Sequence, residues 1–218
     1  MKKGKLIVID GIDGSGKSTQ IKLLLSHLRR AGRKTYLTDF PQYEKSFFGR
    51  MVRRYLKGDF GQTKQTDPHL ISLLYALDRF EAKEKMWRAL KEGKIIVSDR
   101  YSPANKIHQA IKIKGKVKKE KFYAWLDELE FRVLGIPRPD LTLFLDVPPN
   151  VTRKLMIARG KRDIHEVDFN HQKLAYKQCQ VLVKKYKNWQ MIPCLEKGKF
   201  LAPQIIHQKV WQAIKKLL

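Results

Sequence analysis

Five short apolar runs alternate along the chain with longer stretches in which apolar residues recur every three or four positions. Residues 5–10 (KLIVID) show no polar alternation, which predicts a strand covered on both faces. A glycine-rich turn follows. Residues 17–31 then set Ile21, Leu24, Leu25 and Leu28 on one side of a predicted helix that Gly32 stops. Residues 35–40 predict a second strand, ended by Pro41. Residues 46–57 suit a helix with Phe47, Met51, Val52, Tyr55 and Leu56 as its apolar side, and 58–68 form a polar loop. A long helix, broken at most once, is predicted over 69–91 and ends at Gly93. Residues 94–98 make a third strand that closes on Asp99-Arg100. Helices are predicted over 103–113 and over 116–134, the second with Phe122, Trp125, Leu126, Leu129 and Val133 as its stripe. Residues 141–147 form a fourth strand, stopped by Pro148-Pro149. Asn150 is placed to cap a helix over 151–159, and a polar loop spans 160–168. A helix over 169–187, a strand over 189–195 and a helix over 203–218 complete the pattern.

Alternation of this kind predicts an α/β fold, a three-layer α/β/α arrangement around a central parallel sheet of about five strands. With no repeat, linker or low-complexity tract in 218 residues, one domain over 1–218 is expected. Hydrophobic residues make up 43%, enough for a full core, and no apolar run approaches the ~18–20 residues of a membrane helix. Asp10 cuts the first apolar run short of a signal-peptide core. Two cysteines, Cys179 and Cys194, offer neither a disulfide framework nor metal-site spacing. The chain therefore reads as cytoplasmic and as complete from its first residue.

The strongest chemical signal is Gly11-Ile12-Asp13-Gly14-Ser15-Gly16-Lys17-Ser18, which fits G-x-x-x-x-G-K-[ST] between a buried strand and an amphipathic helix. Glycines let backbone N–H groups turn inward around phosphate oxygens, and the new helix adds its positive end. Lys17 reaches the β- and γ-phosphates and Ser18 can ligate Mg²⁺. Gly11 through Thr19 are thus the candidate ATP-binding residues of a P-loop NTPase fold. The motif fixes a nucleotide triphosphate site and leaves the acceptor open.

Three further segments fall where a doubly wound sheet gathers ligands: DFPQY at 39–43, LLYALDR at 73–79 and DRY at 99–101. Tyr75 and Arg79 lie four apart on one helix face, an aromatic plate beside a guanidinium. Taken alone, Tyr75 could equally be core, and Arg79 could pair with Asp78 or Glu81. Together with GIDGSGKST, RPDLTLFLDVPP and RGKRDIHE, these segments resemble the thymidylate kinase (dTMP kinase) family in order and spacing from about residue 5 to 170.

That resemblance implies transfer of the ATP γ-phosphoryl group to dTMP with Mg²⁺ as cofactor, by a homodimer. It assigns Asp13 to the sugar 3′-hydroxyl and the phosphates, Phe40 to a wall beside sugar and base, and Tyr75 to stacking on thymine. Arg79 falls on the reader of the thymine carbonyl edge, and Asn105 on a base-contacting amide. Asp99 is implied near Mg²⁺ with Ser18, and Arg100 on the acceptor phosphate. A mobile lid is implied at about 153–168, where Arg159, Lys161 and Arg162 could serve the transferring group and Asp163 and Glu166 the acceptor. The candidate catalytic set is Asp13, Lys17, Arg100, Arg159 and Arg162. An acceptor phosphate is already anionic near neutral pH, so no general base is required, and catalysis is positioning plus charge cancellation. The chain also departs from relatives. Gln42-Tyr43 stands where many carry an arginine, and His108 and His165 stand where some carry tyrosines. Pro103 follows the DRY segment, and Gly14 follows Asp13 in place of an arginine.

The chain holds 46 Lys+Arg against 21 Asp+Glu, a formal net charge of +25. Basic residues divide evenly, 23 in 1–110 and 23 in 111–218, and 32 of the 46 are lysine. A diffuse, lysine-rich excess reads as solvated surface more readily than as a binding stripe. Only Lys112, Lys114, Lys116, Lys118, Lys119 and Lys121 cluster, so nucleic acid stays open as a less favoured partner. Two rivals follow: a kinase for another nucleotide or deoxynucleoside, and a P-loop ATPase that binds nucleic acid.

Overall fold

The computed structural model describes residues 3–61, 66–158 and 169–218, with backbone alone for 154–158. Five parallel strands form the central sheet: β1 (Lys5–Asp10), β2 (Thr35–Asp39), β3 (Ile95–Asp99), β4 (Leu141–Asp146) and β5 (Trp189–Pro193). Their order is β2-β3-β1-β4-β5, so the α/β expectation is met. Burial explains the strand type. Leu6, Ile7, Val8 and Ile9 on β1 and Ile96 and Val97 on β3 have no exposed surface, and residues covered on both faces need no polar alternation.

Both faces of the sheet are covered. Helices α1 (Lys17–Arg30) and α9 (Pro203–Lys215) close one face, with Ile21, Leu24 and Leu28 meeting Ile206, Val210 and Ile214 over Ile7, Ile9, Val97 and Leu143. Across the sheet lie α2 (Phe47–Lys57), α3 (Pro68–Glu81), α4 (Lys83–Lys91), α5 (Pro103–His108) and α6 (Lys116–Asp127). Helices α7 (Pro149–Ala158) and α8 (Phe169–Lys185) follow β4.

Several boundaries differ from the sequence reading, each for a local reason. The long helix over 69–91 breaks at Ala82, giving α3 and α4. The helix expected over 103–113 stops at His108 and continues only as a 3₁₀ turn over Ala110–Lys112. Pro103, an interruption in the sequence, occupies the first turn of α5, where its missing N–H costs nothing. Likewise α7 begins at Pro149, so Asn150 lies inside its first turn and is not the cap. Met51 apart, the predicted stripe of α2 divides: Val52 and Tyr55 are buried, Phe47 and Leu56 exposed. The last strand ends at Pro193, and a short antiparallel hairpin follows, β6 (Leu195–Glu196) with β7 (Lys199–Phe200). Its two turn residues, Lys197 and Gly198, both have positive φ (47° and 75°), the requirement of a tight twisted hairpin. The hairpin brings the Phe200 ring 4.0 Å from where a side chain on Gly16 would begin.

The largest departure lies after α6. Over Glu128–Val133 the backbone widens into a π-helical turn, with Leu134 N–H donating to Leu129 O (2.9 Å) and Ile136 N–H to Glu130 O (3.0 Å). A wider turn rotates the stripe. Val133 is 64% exposed, whereas Glu130 is buried in its place.

The turn after β2 is held from two directions. Asp78 of α3 accepts from Gln42 N–H (3.0 Å) and from the Ser46 hydroxyl, and Ser46 Oγ caps α2 by accepting from Gly49 N–H (2.7 Å). Gly49 has no room to spare: a Cβ there would sit 2.2 Å from Gln42 O. Replacing Gly49 with Ala is expected to lever α2 away from this turn at a cost on the order of 1–3 kcal/mol. Urea denaturation measures it, and an unchanged midpoint would show that the two segments part freely.

Candidate active site

Four of the five parallel strands end in aspartate at the same edge of the sheet: Asp10, Asp39, Asp99 and Asp146. In-register pairing sets Asp39 opposite Asp99, and Asp99 opposite Ile9, the residue before Asp10. The G-x-x-x-x-G-K-S turn leaves this edge directly from Asp10. Gly14 and Gly16 adopt φ of 81° and 92°, a region that glycine enters without penalty. Asp10 Oδ1 accepts from Gly11 N–H (2.7 Å), and Ser15 N–H donates to Ile12 O (3.2 Å). No side chain caps the N-terminus of α1 and its first turn holds no acid. Inward-curling amides and an uncapped helix end together make a cradle for phosphate oxygens. Lys17 lies over this turn, donating to Gly11 O (2.8 Å) and Ile12 O (3.3 Å) and standing 3.7 Å from Asp13.

Arg100 joins this turn to β3. Its backbone has φ of 59°, a left-handed conformation uncommon for arginine, and two hydrogen bonds hold it: Arg100 N–H to Ile9 O (3.1 Å) and Ser98 Oγ to Arg100 O (2.5 Å). The guanidinium then reaches Asp13 (Nη2 to Oδ1, 2.6 Å) and approaches Asp10 (3.8 Å). Burial on its own would raise the Asp13 carboxyl, but Arg100 and Lys17 overcome it and hold Asp13 at about 2. Asp10 and Asp99 go the other way. Burial dominates and raises both, although Arg100 and Lys17 oppose it. Burial and then Arg100 lower the Lys17 ammonium.

Oxygen donors for a divalent cation are present. The Asp99 carboxylate makes no hydrogen bond or ion pair among the described residues, and Ser18 is exposed at the start of α1. Two hard oxygen ligands beside a phosphate cradle suit Mg²⁺, which takes its remaining ligands from phosphates and water. No group of three or more His, Cys, Asp or Glu gathers into a metal cage among the described residues.

The candidate acceptor residues surround the same edge. Phe40 is buried beside Tyr101, ring centroids 5.4 Å apart. Tyr75 is half-buried, and burial, with Tyr43 and Tyr55 nearby, pushes its phenol up. Burial raises the Tyr43 phenol, and the Arg100 charge opposes it. Arg79 pairs with neither Asp78 nor Glu81. Asp78 holds the 42–46 turn, and Glu81 accepts from Phe47 N–H and Phe48 N–H at the start of α2. Arg79 is 1% exposed and forms a two-bond ion pair with Glu130 (Nε to Oε2 3.0 Å, Nη2 to Oε1 2.7 Å) beneath the Tyr101 ring. Asn105 meets the same carboxylate (Nδ2 to Oε1, 3.0 Å). His108 is stacked parallel to His171 of α8, Nδ1 to Nε2 3.0 Å, and burial and then Arg100 depress it well below the ordinary histidine range.

Arg159, Arg162, Asp163 and Glu166, with Lys161 and His165, lie outside the described residues. Sequence reasoning missed Glu130 and His171. Glu130 lies four residues after Leu126, on the flank of the apolar stripe, and an acid at such a position was the available signal. His171, in a polar stretch, gave none.

Comparison with known proteins adds the family. The thymidylate kinase family profile matches residues 9–199. The thymidylate kinase of Mycobacterium tuberculosis is 30% identical over 158 residues, 72% of this chain and 73% of that protein. That of Dinoroseobacter shibae is 34% identical over 166 residues, 75% of each chain. The thymidylate kinase of Arabidopsis thaliana is 36% identical over 147 residues, 67% of this chain and 50% of that protein.

The Asp13–Arg100 pair carries a pH signature. Asp13 sits at about 2 in the folded chain against 3.8 for a free side chain, so its contribution to stability is present above about pH 4 and lost as pH falls toward 2. The carboxylate is 55% exposed, which keeps the effect small and salt-sensitive. The stability difference between the parent and Asp13→Asn, followed by denaturant titration, is expected to shrink across that window. A difference independent of pH would remove the pair as its source.

Proposed function

The chain belongs to the thymidylate kinase family and transfers the γ-phosphoryl group of ATP to dTMP, giving dTDP, and we propose that it does so at the β1–β3 edge, with the P-loop as donor site and the Phe40–Tyr75–Arg79 side as acceptor site. The observation that carries this assignment is the Arg100–Asp13 bond, because it ties the DRY segment to the phosphate cradle at 2.6 Å.

In this reading the amides of 11–19 and Lys17 hold the donor phosphates, and Lys17 offsets charge that accumulates on the bridging and transferring oxygens. Its present partners are two backbone carbonyls of the loop and, at 3.7 Å, the half-exposed Asp13 carboxylate. Arg100, already oriented by its strained backbone, holds the acceptor phosphate in line while Asp13 fixes the guanidinium and takes the sugar 3′-hydroxyl. Phe40 and Tyr75 wall and stack the base, Arg79 and Asn105 read its edge, and His108, its imidazole depressed by burial and then Arg100, lies near the sugar. Ser18 and Asp99 would hold Mg²⁺, which would supply positive charge to offset that of the donor phosphates. The family resemblance assigns Arg159 and Arg162 to further charge cancellation and Asp163 and Glu166 to the acceptor nucleotide; all four lie outside the described residues.

We place the enzyme in the cytoplasm as a single domain over 1–218. No described helix is long and apolar enough to cross a membrane, and Cys179 and Cys194 are free and buried. A homodimer is supported by the exposed apolar residues of α2 and α3, Phe47, Leu56 and Leu70. The 112–121 lysine run does not argue for a polymer partner. Lys112 donates to Tyr55 OH and Lys119 to Gln178, so part of the run is occupied inside the molecule.

Coupled ADP release across an acceptor panel tests the reading. dTMP is expected to be the preferred acceptor, and DNA to leave turnover unchanged; DNA-stimulated hydrolysis indifferent to dTMP would overturn it. Lys17→Ala is expected to lower kcat by at least about 10²-fold at saturating dTMP. Tyr75→Ala is expected to weaken dTMP by about 1–3 kcal/mol through lost stacking, read as a higher KM for dTMP at constant KM for ATP.

A further inference from the structure

A buried ion pair is a poor way to stabilise a fold, since the desolvation of two charges cancels most of their attraction. Glu130 is 1% exposed and Arg79 1% exposed, in the middle of α3, α5 and the π-helical turn, where apolar side chains would serve stability at least as well. What Glu130 does that an apolar residue cannot is orient two other groups. Its carboxylate takes Nε and Nη2 of Arg79 and one N–H of Asn105, whose other N–H goes to Ser72 O (3.1 Å). Both partners of the Asn105 amide nitrogen are acceptors only, so the amide cannot be flipped and its Oδ1 must face away from them. Arg79 Nη1 and Asn105 Oδ1 make no hydrogen bond among the described residues, and neither is among the atoms sealed from solvent without a partner. α5 is fixed in turn by Lys106, which donates to both oxygens of Asp127 (2.7 Å each).

We propose that Glu130 is a positioning residue that sets the polarity of the base-reading edge, holding Arg79 Nη1 as a donor and Asn105 Oδ1 as an acceptor. A donor beside an acceptor complements a pyrimidine that offers a 4-carbonyl next to an N3–H, as thymine and uracil do. Cytosine offers an amino group next to a bare N3, the reverse pattern, and meets donor against donor and acceptor against acceptor. Discrimination by mismatched polarity is strong because each wrong pairing leaves a desolvated polar group without a partner. The inference rests on the acceptor assignment of Arg79 and Asn105 above.

With Gln at 130, the side chain brings its own N–H₂ to this junction. Asn105 is then held by Ser72 O alone and Arg79 loses one of its two anchors, so neither group keeps a fixed polarity toward the base. Dissociation constants of dTMP, dUMP and dCMP, with KM for ATP as the internal reference, test the idea on the full chain. Glu130→Gln is expected to lower the dTMP-over-dCMP preference by about 10- to 100-fold, to leave dTMP over dUMP unchanged, and to leave the KM for ATP within about twofold. An unchanged dTMP-over-dCMP preference overturns the proposal, whatever happens to thermal stability. So does an equal weakening of all three nucleotides, which is the mark of a merely structural role. If Glu130→Gln does not fold, Glu130→Asp, which keeps the charge but shortens the reach, is expected to lose the same preference in part, and full retention overturns the proposal. Arg79→Met separates the two levels. Loss of preference there, with none in Glu130→Gln, refutes the role of Glu130 alone; no change in either removes Arg79 from the acceptor site.

Discussion

Parallel, in-register strands impose one constraint on which the rest of this molecule depends: whatever ends the strands meets at a single edge. Here the ends are aspartates on β1, β2, β3 and β4. Carboxylates gathered this closely repel one another, and burial penalises their charge further. Three of the four are answered separately. Asp39 is met by Lys45 (2.8 Å), Asp146 by the Tyr176 hydroxyl (2.6 Å), and Asp10 by Gly11 N–H and Arg100. Asp99 alone makes no hydrogen bond or ion pair among the described residues, and it is the carboxylate assigned to Mg²⁺. The acidic edge is therefore what draws Lys17 and Arg100 into place before any phosphate arrives.

Arg100 answers Asp10 and the nearby Asp13 at once, and its left-handed backbone is the cost. Strain of about 1–3 kcal/mol at one residue is tolerable when two flanking hydrogen bonds and two carboxylates over-determine the conformation. The return is a guanidinium that is oriented in advance, so little reorganisation is left for the moment of phosphoryl transfer.

Much of this was legible in the chain itself. Apolar runs located all five parallel strands, and the glycine spacing between β1 and α1 located the phosphate cradle, because both signals are local and repeat a simple geometry. Partnerships between distant residues were not legible. Arg79 had acids at 78 and 81 within reach on its own helix, yet its partner is Glu130, 51 positions away. Glu130 follows the buried Leu126 by four residues, and the π-helical turn there carries Val133 outward; one extra residue in a helical turn leaves no distinctive mark in composition. The boundary errors have a similar origin. Pro149 reads as the stop of a strand when it in fact opens a helix, as Pro103 does, since proline signals the same break from either side.

The hairpin of β6 and β7 makes the phosphate-binding turn depend on contacts that are remote along the chain. Its Phe200 ring stands against Gly16, Gln20 of α1 donates to Pro203 O (3.0 Å), and α9 covers the face of α1 that β1 alone cannot bury. Gln20 and Pro203 are 183 positions apart. Contacts that close so long a loop carry a large entropic cost before they return any stability, so they raise the contact order of the fold and slow its formation. A motif that is entirely local in the sequence thus takes part of its surroundings from the least local contacts in the molecule.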